Sequence, residues 1–171
     1  RQVIKSIANA CKSSDCVLLG GETAEMPGHY VDDNFDLAGF SVGCVEKKKV
    51  LKKDDVVEDD ILIGIESSGP HSNGFSLIRS ILSKSKKTEE EKEKIALKAL
   101  KPTLLYPKLV GSITQQYKIK SISHITGGGL IENLPRSIPE SLSVEIDTQS
   151  WQITNVSVSY THLTLPTILL V

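Results

Sequence analysis

The sequence predicts an α/β (α+β) fold, because short apolar runs of strand length alternate along the chain with amphipathic segments of helix length. Residues 16–19 and 61–65 are apolar runs that end in turns rich in glycine and hydroxyl groups, which is typical of buried strands. Residues 75–83 instead repeat their apolar side chains at helical spacing. No internal repeat is visible.

Each further element is placed by its own pattern. The apolar residues of segment 1–12 fall on one face of a helix, and segment 84–100 predicts an exposed helix that Pro102 ends. Residues 35–45 are rich in β-branched and small side chains, as a strand would be. The remaining predictions are helices at residues 107–117 and 130–138 and strands at residues 121–126 and 143–147.

Composition limits the classes of function. The 171 residues carry 20 Lys and Arg against 21 Asp and Glu, so no general basicity points to nucleic acid. Segment 155–171 contains His162 and Pro166, which make it a poor membrane span. The three cysteines lack metal-site spacing and are expected to be reduced thiols of a cytoplasmic protein. Any bound anion must therefore be held by local geometry.

The charged stretch at residues 46–60 is the best candidate for a domain boundary. A solvated loop or edge hairpin explains it better than an interaction patch. The sequence therefore predicts one domain ending near residue 49 and a second beginning near residue 50.

The first turn, residues 19–28, carries Glu22, Thr23 and Glu25 just after two glycines. Glycines allow a backbone to turn tightly, and carboxylates are the hard oxygen ligands that Mg²⁺ prefers. Glu22 and Glu25 are thus candidate metal ligands, with Thr23 in support. Taken alone, the segment fits a surface turn with solvated glutamates better.

The second turn, residues 66–74, joins a predicted strand to a predicted helix, where free amides and the helix dipole favour an anion. A helix cap would explain one polar residue here, but not this many in one turn. Phosphate binding is the favoured interpretation, with His71 also a candidate for proton transfer in catalysis. The candidate ligands are Ser68, His71, Ser72, Asn73 and Gly74.

The third turn, residues 124–133, places three consecutive glycines after a predicted strand. Such a run costs backbone entropy and usually serves a close approach to a phosphate or to another backbone. His124, within the strand, is more often a core or interface histidine than a catalyst. The candidate phosphate ligands are Thr126, Gly127, Gly128, Gly129, Glu132 and Asn133.

None of the three turns is a standard nucleotide fingerprint, since neither a P-loop motif nor dinucleotide-fold glycine spacing is present. Together they suggest a phosphate-rich ligand and Mg²⁺. In this order they resemble the AIR synthetase (phosphoribosylformylglycinamidine cyclo-ligase) family. The resemblance covers residues 1–152 and is carried by segments 20–28, 36–40, 67–74 and 126–136, with Pro102, Thr103, Tyr106 and Lys108.

The resemblance implies a two-domain AIR-synthetase-like fold and a homodimer whose N-terminal domains pair into a shared barrel. Residues 1–49 would then be the last part of the N-terminal ATP-binding and dimerisation domain. Residues 50–154 would be part of a truncated C-terminal domain. The chain opens with Arg1 inside a predicted helix, and segment 155–171 does not match the family's expected elements. We therefore expect an internal fragment with an anomalous tail, which is either an artefact or a divergent strand.

The resemblance also implies a reaction: ATP-dependent cyclisation of formylglycinamidine ribonucleotide to aminoimidazole ribonucleotide in purine biosynthesis, with ATP and Mg²⁺ bound near the dimer interface. Glu22 and Glu25 would hold the metal, while Thr23 and the second and third turns would bind ATP or the phosphates.

Two alternatives stay open. A sister ATP-dependent phosphotransferase would share the layout of the fold but act on another small molecule. The chain as given could instead be an inactive fragment that binds at most a phosphate or another subunit, since an incomplete barrel leaves unpaired strand edges. The sequence does not decide which turn holds ATP and which holds the substrate phosphate.

Overall fold

The computed structural model describes residues 1–32 and 34–150 and the backbone of residues 168–170. The chain divides into two compact units, Arg1–Val50 and Leu51–Val171. The assignment of these units to the two domains of the resembling family stays a prediction. The regular elements are α1 Gln2–Ser13, β1 Ile63–Ile65, α2 Phe75–Lys84, α3 Glu89–Ala99, α4 Pro107–Gln116, β2 Ile122–His124, α5 Gly129–Asn133 and β3 Ile168–Leu170, with three short 3-10 helices.

The described part of the first unit contains one α-helix, α1, as the apolar periodicity of residues 1–12 predicts. Its apolar face stays exposed, however, with Ile4 at 59% of its full accessibility. No described residue of this unit is buried. The local spacing of the apolar residues therefore predicts the helix correctly, but no described residue of this unit covers its apolar face.

The strands predicted at residues 16–19 and 35–45 are wrong for the described structure, in which both segments are irregular. A strand needs a neighbour to pair its backbone N–H and C=O groups, and the described part of this unit contains no strand. The apolar side chains of these segments are accordingly exposed, Leu19 at 95% and Phe40 at 101%.

The second unit is built on a three-stranded sheet in the order β1-β3-β2. β3 pairs antiparallel with both neighbours, so β1 and β2 run parallel to each other on either side of it. The register places Ile65 and His124 opposite the same residue, Ile168. The carboxyl ends of β1 and β2 therefore lie at the same edge of the sheet.

The central strand belongs to the segment that we expected to be anomalous. Residues 168–170 pair with β1 on one side and with β2 on the other. An apolar segment can pair between any two strands whose facing edges are open. Which strands it pairs with depends on residues that are distant in the sequence. The rest of that segment, including His162, lies outside the described residues.

Helices α2 and α4 begin where the sequence predicts, α4 with Pro107 in its first turn. Helix α3 begins five residues later than predicted. Its start is fixed by a capping box, in which the Thr88 side chain accepts the Glu91 N–H and the Glu91 carboxylate accepts the Thr88 N–H. Helices α2 and α3 pack through Ile78 and Ala99, which are almost fully buried.

The helix predicted at residues 130–138 is shorter than expected. Helix α5 ends at Asn133 and continues as a 3-10 helix over Leu134–Arg136. Pro135 lacks a backbone N–H, so it cannot continue the α-helical hydrogen-bond ladder.

The strand predicted at residues 143–147 is also wrong, although its alternation is real. Val144 and Ile146 are half-buried against the core residues Ile125 and Leu134, while their sequence neighbours are exposed. The segment is not assigned to a strand, because no described strand pairs with it. Side-chain burial alone accounts for its period of two.

Two remaining expectations concern membranes and cysteines. Among the described helices, none has the length and apolar character needed to span a bilayer. Cys11, Cys16 and Cys44 are all free thiols.

Candidate functional site

The second and third turns leave the same edge of the sheet. The second turn follows β1, and the third begins at the last residue of β2. Only β3 separates the two strands, so with a spacing of about 4.8 Å per strand their ends are about 10 Å apart. The second and third turns, both predicted to bind phosphate, are therefore neighbours in the second unit.

His71 is the centre of the second turn. The residue is 6% exposed, and its Nε2 accepts the Ser68 backbone N–H at 3.0 Å. The Leu104 backbone N–H reaches the same Nε2 at 3.3 Å, and the Ser68 hydroxyl lies 2.8 Å from it. Its other ring nitrogen, Nδ1, is buried without a hydrogen-bond partner among the described residues.

Residues 102–106, which we name the strap, lie along this turn. Alternate residues of the strap face it. The Ser68 hydroxyl donates to the Pro102 carbonyl at 2.7 Å, and the Tyr106 hydroxyl donates to the Glu66 carbonyl at 2.9 Å. The Tyr106 ring also lies 5.9 Å from that of His71, centre to centre. The strap and the turn therefore form one hydrogen-bonded unit.

The backbone of the second turn is strained at two neighbouring residues. His71 and Ser72 have φ angles of 49° and 61°, and Gly74 has 71°. Left-handed φ costs a non-glycine residue about 1–2 kcal/mol. Such conformations persist where surrounding contacts hold them, and they cluster at functional sites.

The predicted phosphate ligands of the second turn differ in what they already contact. Asn73 donates its side-chain amide to the His71 carbonyl at 2.9 Å, and Ser68 is committed to the strap. The Ser72 side chain is exposed and makes no hydrogen bond within the described residues. Gly74 immediately precedes α2, whose first turn has no side-chain cap. Ser72 and the start of α2 are thus the parts open to a ligand.

The environment of His71 favours its neutral form. Burial lowers the pKa of His71 from its ordinary value, and the charge of His124 lowers this pKa further. His124 is the last residue of β2, so this influence agrees with the shared sheet edge.

Asn133 organises the third turn. This side chain is 4% exposed and donates to the Gly127 carbonyl at 3.1 Å and to the Gly129 carbonyl at 2.7 Å. The Ser123 hydroxyl of β2 donates to its main-chain carbonyl at 3.2 Å. Both amide hydrogens of Asn133 are therefore used within the turn, and its Oδ1 accepts the Thr126 hydroxyl at 3.4 Å. The glycine backbone is the part of the turn that is left to meet a ligand, beside the exposed Thr126.

Glu132 closes over Gly128. A β-carbon built on Gly128 would lie 2.2 Å from a carboxylate oxygen of Glu132 and 2.7 Å from its β-carbon. Gly128 and Gly129 have φ angles of 87° and 62°. The third turn therefore requires a glycine at position 128, both for conformation and for space.

The predicted metal ligands lie in the first unit. Glu22 and Glu25 are exposed, as is Thr23 between them, on an irregular segment. The described residues contain no cluster of three or more His, Cys, Asp or Glu that could hold an ion. Mg²⁺ commonly takes one or two carboxylates and completes its shell with nucleotide phosphates and water, so two glutamates fit that donor set.

The sequence did not predict Pro102, Leu104 or Tyr106 as part of the site. Two of these act through backbone atoms, which no side-chain pattern reveals. The usable signal was the resemblance itself, which included Pro102 and Tyr106 in a segment without a predicted element.

Comparisons with known proteins cover most of the chain. Residues 57–163 match the family model described as AIR synthase related protein, C-terminal domain. A phosphoribosylformylglycinamidine cyclo-ligase of Acetivibrio thermocellus is 46% identical over 157 residues, which are 89% of this chain and 46% of the relative.

Two further relatives carry the same name. That of Burkholderia multivorans is 44% identical over 154 residues, 88% of this chain and 44% of its own length. That of Clostridium botulinum strain ATCC 19397 is 44% identical over 162 residues, 95% of this chain and 48% of its own length. The chain thus spans just under half the length of the curated relatives it matches.

Proposed function

The chain belongs to the AIR synthase related family, and from this premise we propose that it contributes to a phosphoribosylformylglycinamidine cyclo-ligase of purine biosynthesis. The observation that carries the proposal is the placement of two turns of phosphate-binding type at one edge of a single sheet. Both turns leave the sheet at the carboxyl ends of β1 and β2, so a single ligand at that edge can contact both.

The proposed reaction joins a phosphoryl transfer to a ring closure. The formyl-amide oxygen of formylglycinamidine ribonucleotide attacks the γ-phosphorus of ATP, and ADP leaves. The amidine-side nitrogen then attacks the activated carbon, the carbon–oxygen bond breaks, and phosphate leaves with the former amide oxygen. Loss of a proton gives the aromatic imidazole ring. Activation is needed because an amide oxygen leaves poorly as hydroxide and well as phosphate.

The chain's own residues would supply positioning and charge stabilisation, which dominate catalysis of phosphoryl transfer. In the second turn, the Ser72 hydroxyl and the free amides at the start of α2 are suited to a phosphate oxygen. In the third turn, Thr126 and the backbone of Gly127–Gly129 allow close approach.

Glu22 and Glu25 of the first unit would hold Mg²⁺, which supplies charge neutralisation for nucleotide phosphates when it is bound. Both carboxylates are exposed, so they are accessible to an ion.

The quaternary structure and location are part of the same proposal. The apolar side chains of the first unit, such as Phe40 at 101% and Val42 at 99% exposure, support a homodimer in which a second subunit covers them. We place the enzyme in the cytoplasm, in keeping with its three free cysteines.

A chimera tests the activity. The matching segment of the Acetivibrio thermocellus relative is replaced by this chain, and phosphate release is followed with ATP, Mg²⁺ and formylglycinamidine ribonucleotide. We expect release that depends on the ribonucleotide, together with formation of aminoimidazole ribonucleotide. A folded chimera that leaves this substrate unchanged but phosphorylates another small molecule would instead establish the sister phosphotransferase.

A charge-neutral variant tests the metal assignment. In the chimera, Glu22→Gln should weaken binding of Mg-ATP by about tenfold, the equivalent of one lost contact to a charged group. Glu58→Gln, at an exposed glutamate outside the three turns, serves as the control. Equal affinity in the two variants would remove Glu22 from the metal site.

A further inference from the structure

The contacts of His71 require a particular form of its ring. Nε2 lies within hydrogen-bond reach of two backbone N–H groups, those of Ser68 and Leu104. A backbone N–H can only donate, so Nε2 must present its lone pair. The ring is then neutral and carries its hydrogen on Nδ1. Protonation at Nε2 would set an N–H against two other N–H groups.

This arrangement joins segments more than thirty residues apart. Ser68 belongs to the second turn and Leu104 to the strap, and both meet at the same ring nitrogen. The Ser68 hydroxyl lies 2.8 Å from Nε2 and 2.7 Å from the Pro102 carbonyl, and its single hydrogen can point to either acceptor when Nε2 presents its lone pair. The strained φ angles of His71 and Ser72 lie at the centre of this junction, where surrounding bonds can hold them.

We propose that His71 is a positioning residue whose neutral, Nδ1-protonated ring fastens the second turn to the strap and so holds Ser72 and the start of α2 ready for an anion. This assigns His71 a role other than direct proton transfer to the substrate. The nature of the anion, a nucleotide or substrate phosphate, rests on the proposed function, whereas the ring form and the junction do not.

The surroundings of the ring agree with this role. Its contacts are the Tyr106 ring, the turn itself and the strap, and the charge that acts on it is that of His124. Nδ1 is left as the single buried side-chain nitrogen or oxygen without a partner among the described residues. In this arrangement Nε2 is occupied by backbone donors and Nδ1 is buried, so the ring contacts serve the turn and the strap.

The first test examines the ring directly in the unmodified chain. Nitrogen NMR of the imidazole at pH 7.5, assigned by comparison with a His71 variant, should show Nδ1 as the protonated nitrogen and Nε2 as the lone-pair nitrogen. A ring protonated at Nε2, or one that averages rapidly between both forms, would overturn the proposal without any ligand being involved.

The second test compares two replacements. His71→Gln places an oxygen acceptor near the position of Nε2 and carries no titratable proton, whereas His71→Leu carries no acceptor. We expect the amides of Ser68 and Leu104 to exchange with solvent at least about tenfold faster in His71→Leu, and within about threefold of the unmodified rate in His71→Gln.

Ligand binding separates this proposal from the proposed function. If Mg-ATP binds the unmodified chain, His71→Gln should keep that affinity within about threefold and His71→Leu should lose about tenfold. Equal loss in both variants would show that the imidazole itself is needed and would overturn the positioning role. Absence of Mg-ATP binding to the unmodified chain and to the chimera, with the ring form and amide protection as expected, would count against the proposed function alone.

Discussion

At the scale of single residues, the two turns are held by polar side chains that turn their hydrogen-bonding atoms inward. His71 receives backbone N–H groups, and Asn133 donates to backbone carbonyls. Sequence analysis predicted both as ligands. A side chain that binds a ligand and a side chain that holds a loop have the same residue types and the same glycine-rich neighbours in the sequence. Only the partners of each atom distinguish the two roles.

Gly128 offers a sharp test of the third turn. Gly128→Ala should destabilise the fold by at least about 1–2 kcal/mol, since its φ of 87° is unfavourable for alanine and its β-carbon would meet Glu132. Gly127→Ala is the matched control, because nothing lies within 4 Å of a β-carbon there. Urea denaturation measures both, and equal losses would show that the third turn is not built as described.

The ion pair of Asp60 and Lys120 predicts an acid-dependent contribution to stability. Lys120 Nζ lies 2.5 and 2.6 Å from the two carboxylate oxygens, and this contact, followed by the Val57 N–H, lowers the pKa of Asp60. A carboxyl with a lowered folded-state pKa stabilises above its unfolded value, near 4, and loses that contribution as pH falls through the folded value.

The measurement compares the unmodified chain with Asp60→Asn by urea denaturation between pH 7 and pH 3. The difference in stability should be largest at neutral pH and should shrink below pH 4. Asp54→Asn, at an exposed neighbouring acid, controls for net charge. A difference that does not change with pH would show that the ion pair contributes nothing.

At the scale of elements, α2 and α3 meet in one of the small apolar clusters of the second unit. Ile78→Ala should cost about 2–4 kcal/mol, because that side chain is 2% exposed and contacts the buried Ala99. Leu77→Ala, at a neighbouring residue that is 49% exposed, should cost less than about 1 kcal/mol. Similar losses in thermal or urea unfolding would contradict the described orientation of α2.

Elements that depend on local sequence were predictable from it. Helices α1, α2 and α4 begin within one residue of their predicted starts, because apolar spacing and Pro107 act over a single turn. The start of α3 could also have been predicted from the capping-box residues Thr88 and Glu91. The prediction placed it five residues too early, because the charged segment begins before them.

Strands were less predictable because pairing is not local. Residues 16–19 and 143–147 carry strand patterns but lack a paired neighbour in the described structure, whereas residues 168–170 form the central strand of the sheet. The candidate site was likewise predictable only in its local parts. Its turns were visible in the sequence, whereas their shared edge depends on β3, and the strap depends on contacts across more than thirty residues.

At the scale of the whole molecule, the sheet depends on its last strand. Deleting residues 168–171 should raise the exchange rates of the β1 and β2 amides by about tenfold or more, because both strands pair with β3. Amides of α2, which packs on α3, serve as the internal control. Unchanged protection of β1 and β2 would show that β3 does not join them.

The central claim is that this family member receives a nucleotide phosphate at the shared edge of β1 and β2. Titration of the isotopically labelled chain with Mg-ATP, followed by amide NMR, tests it most directly. The account predicts saturable shifts concentrated at residues 72–76 and 126–129, and the turn that shifts more identifies the one that holds ATP. Shifts confined to other segments, or none at millimolar Mg-ATP, would contradict it.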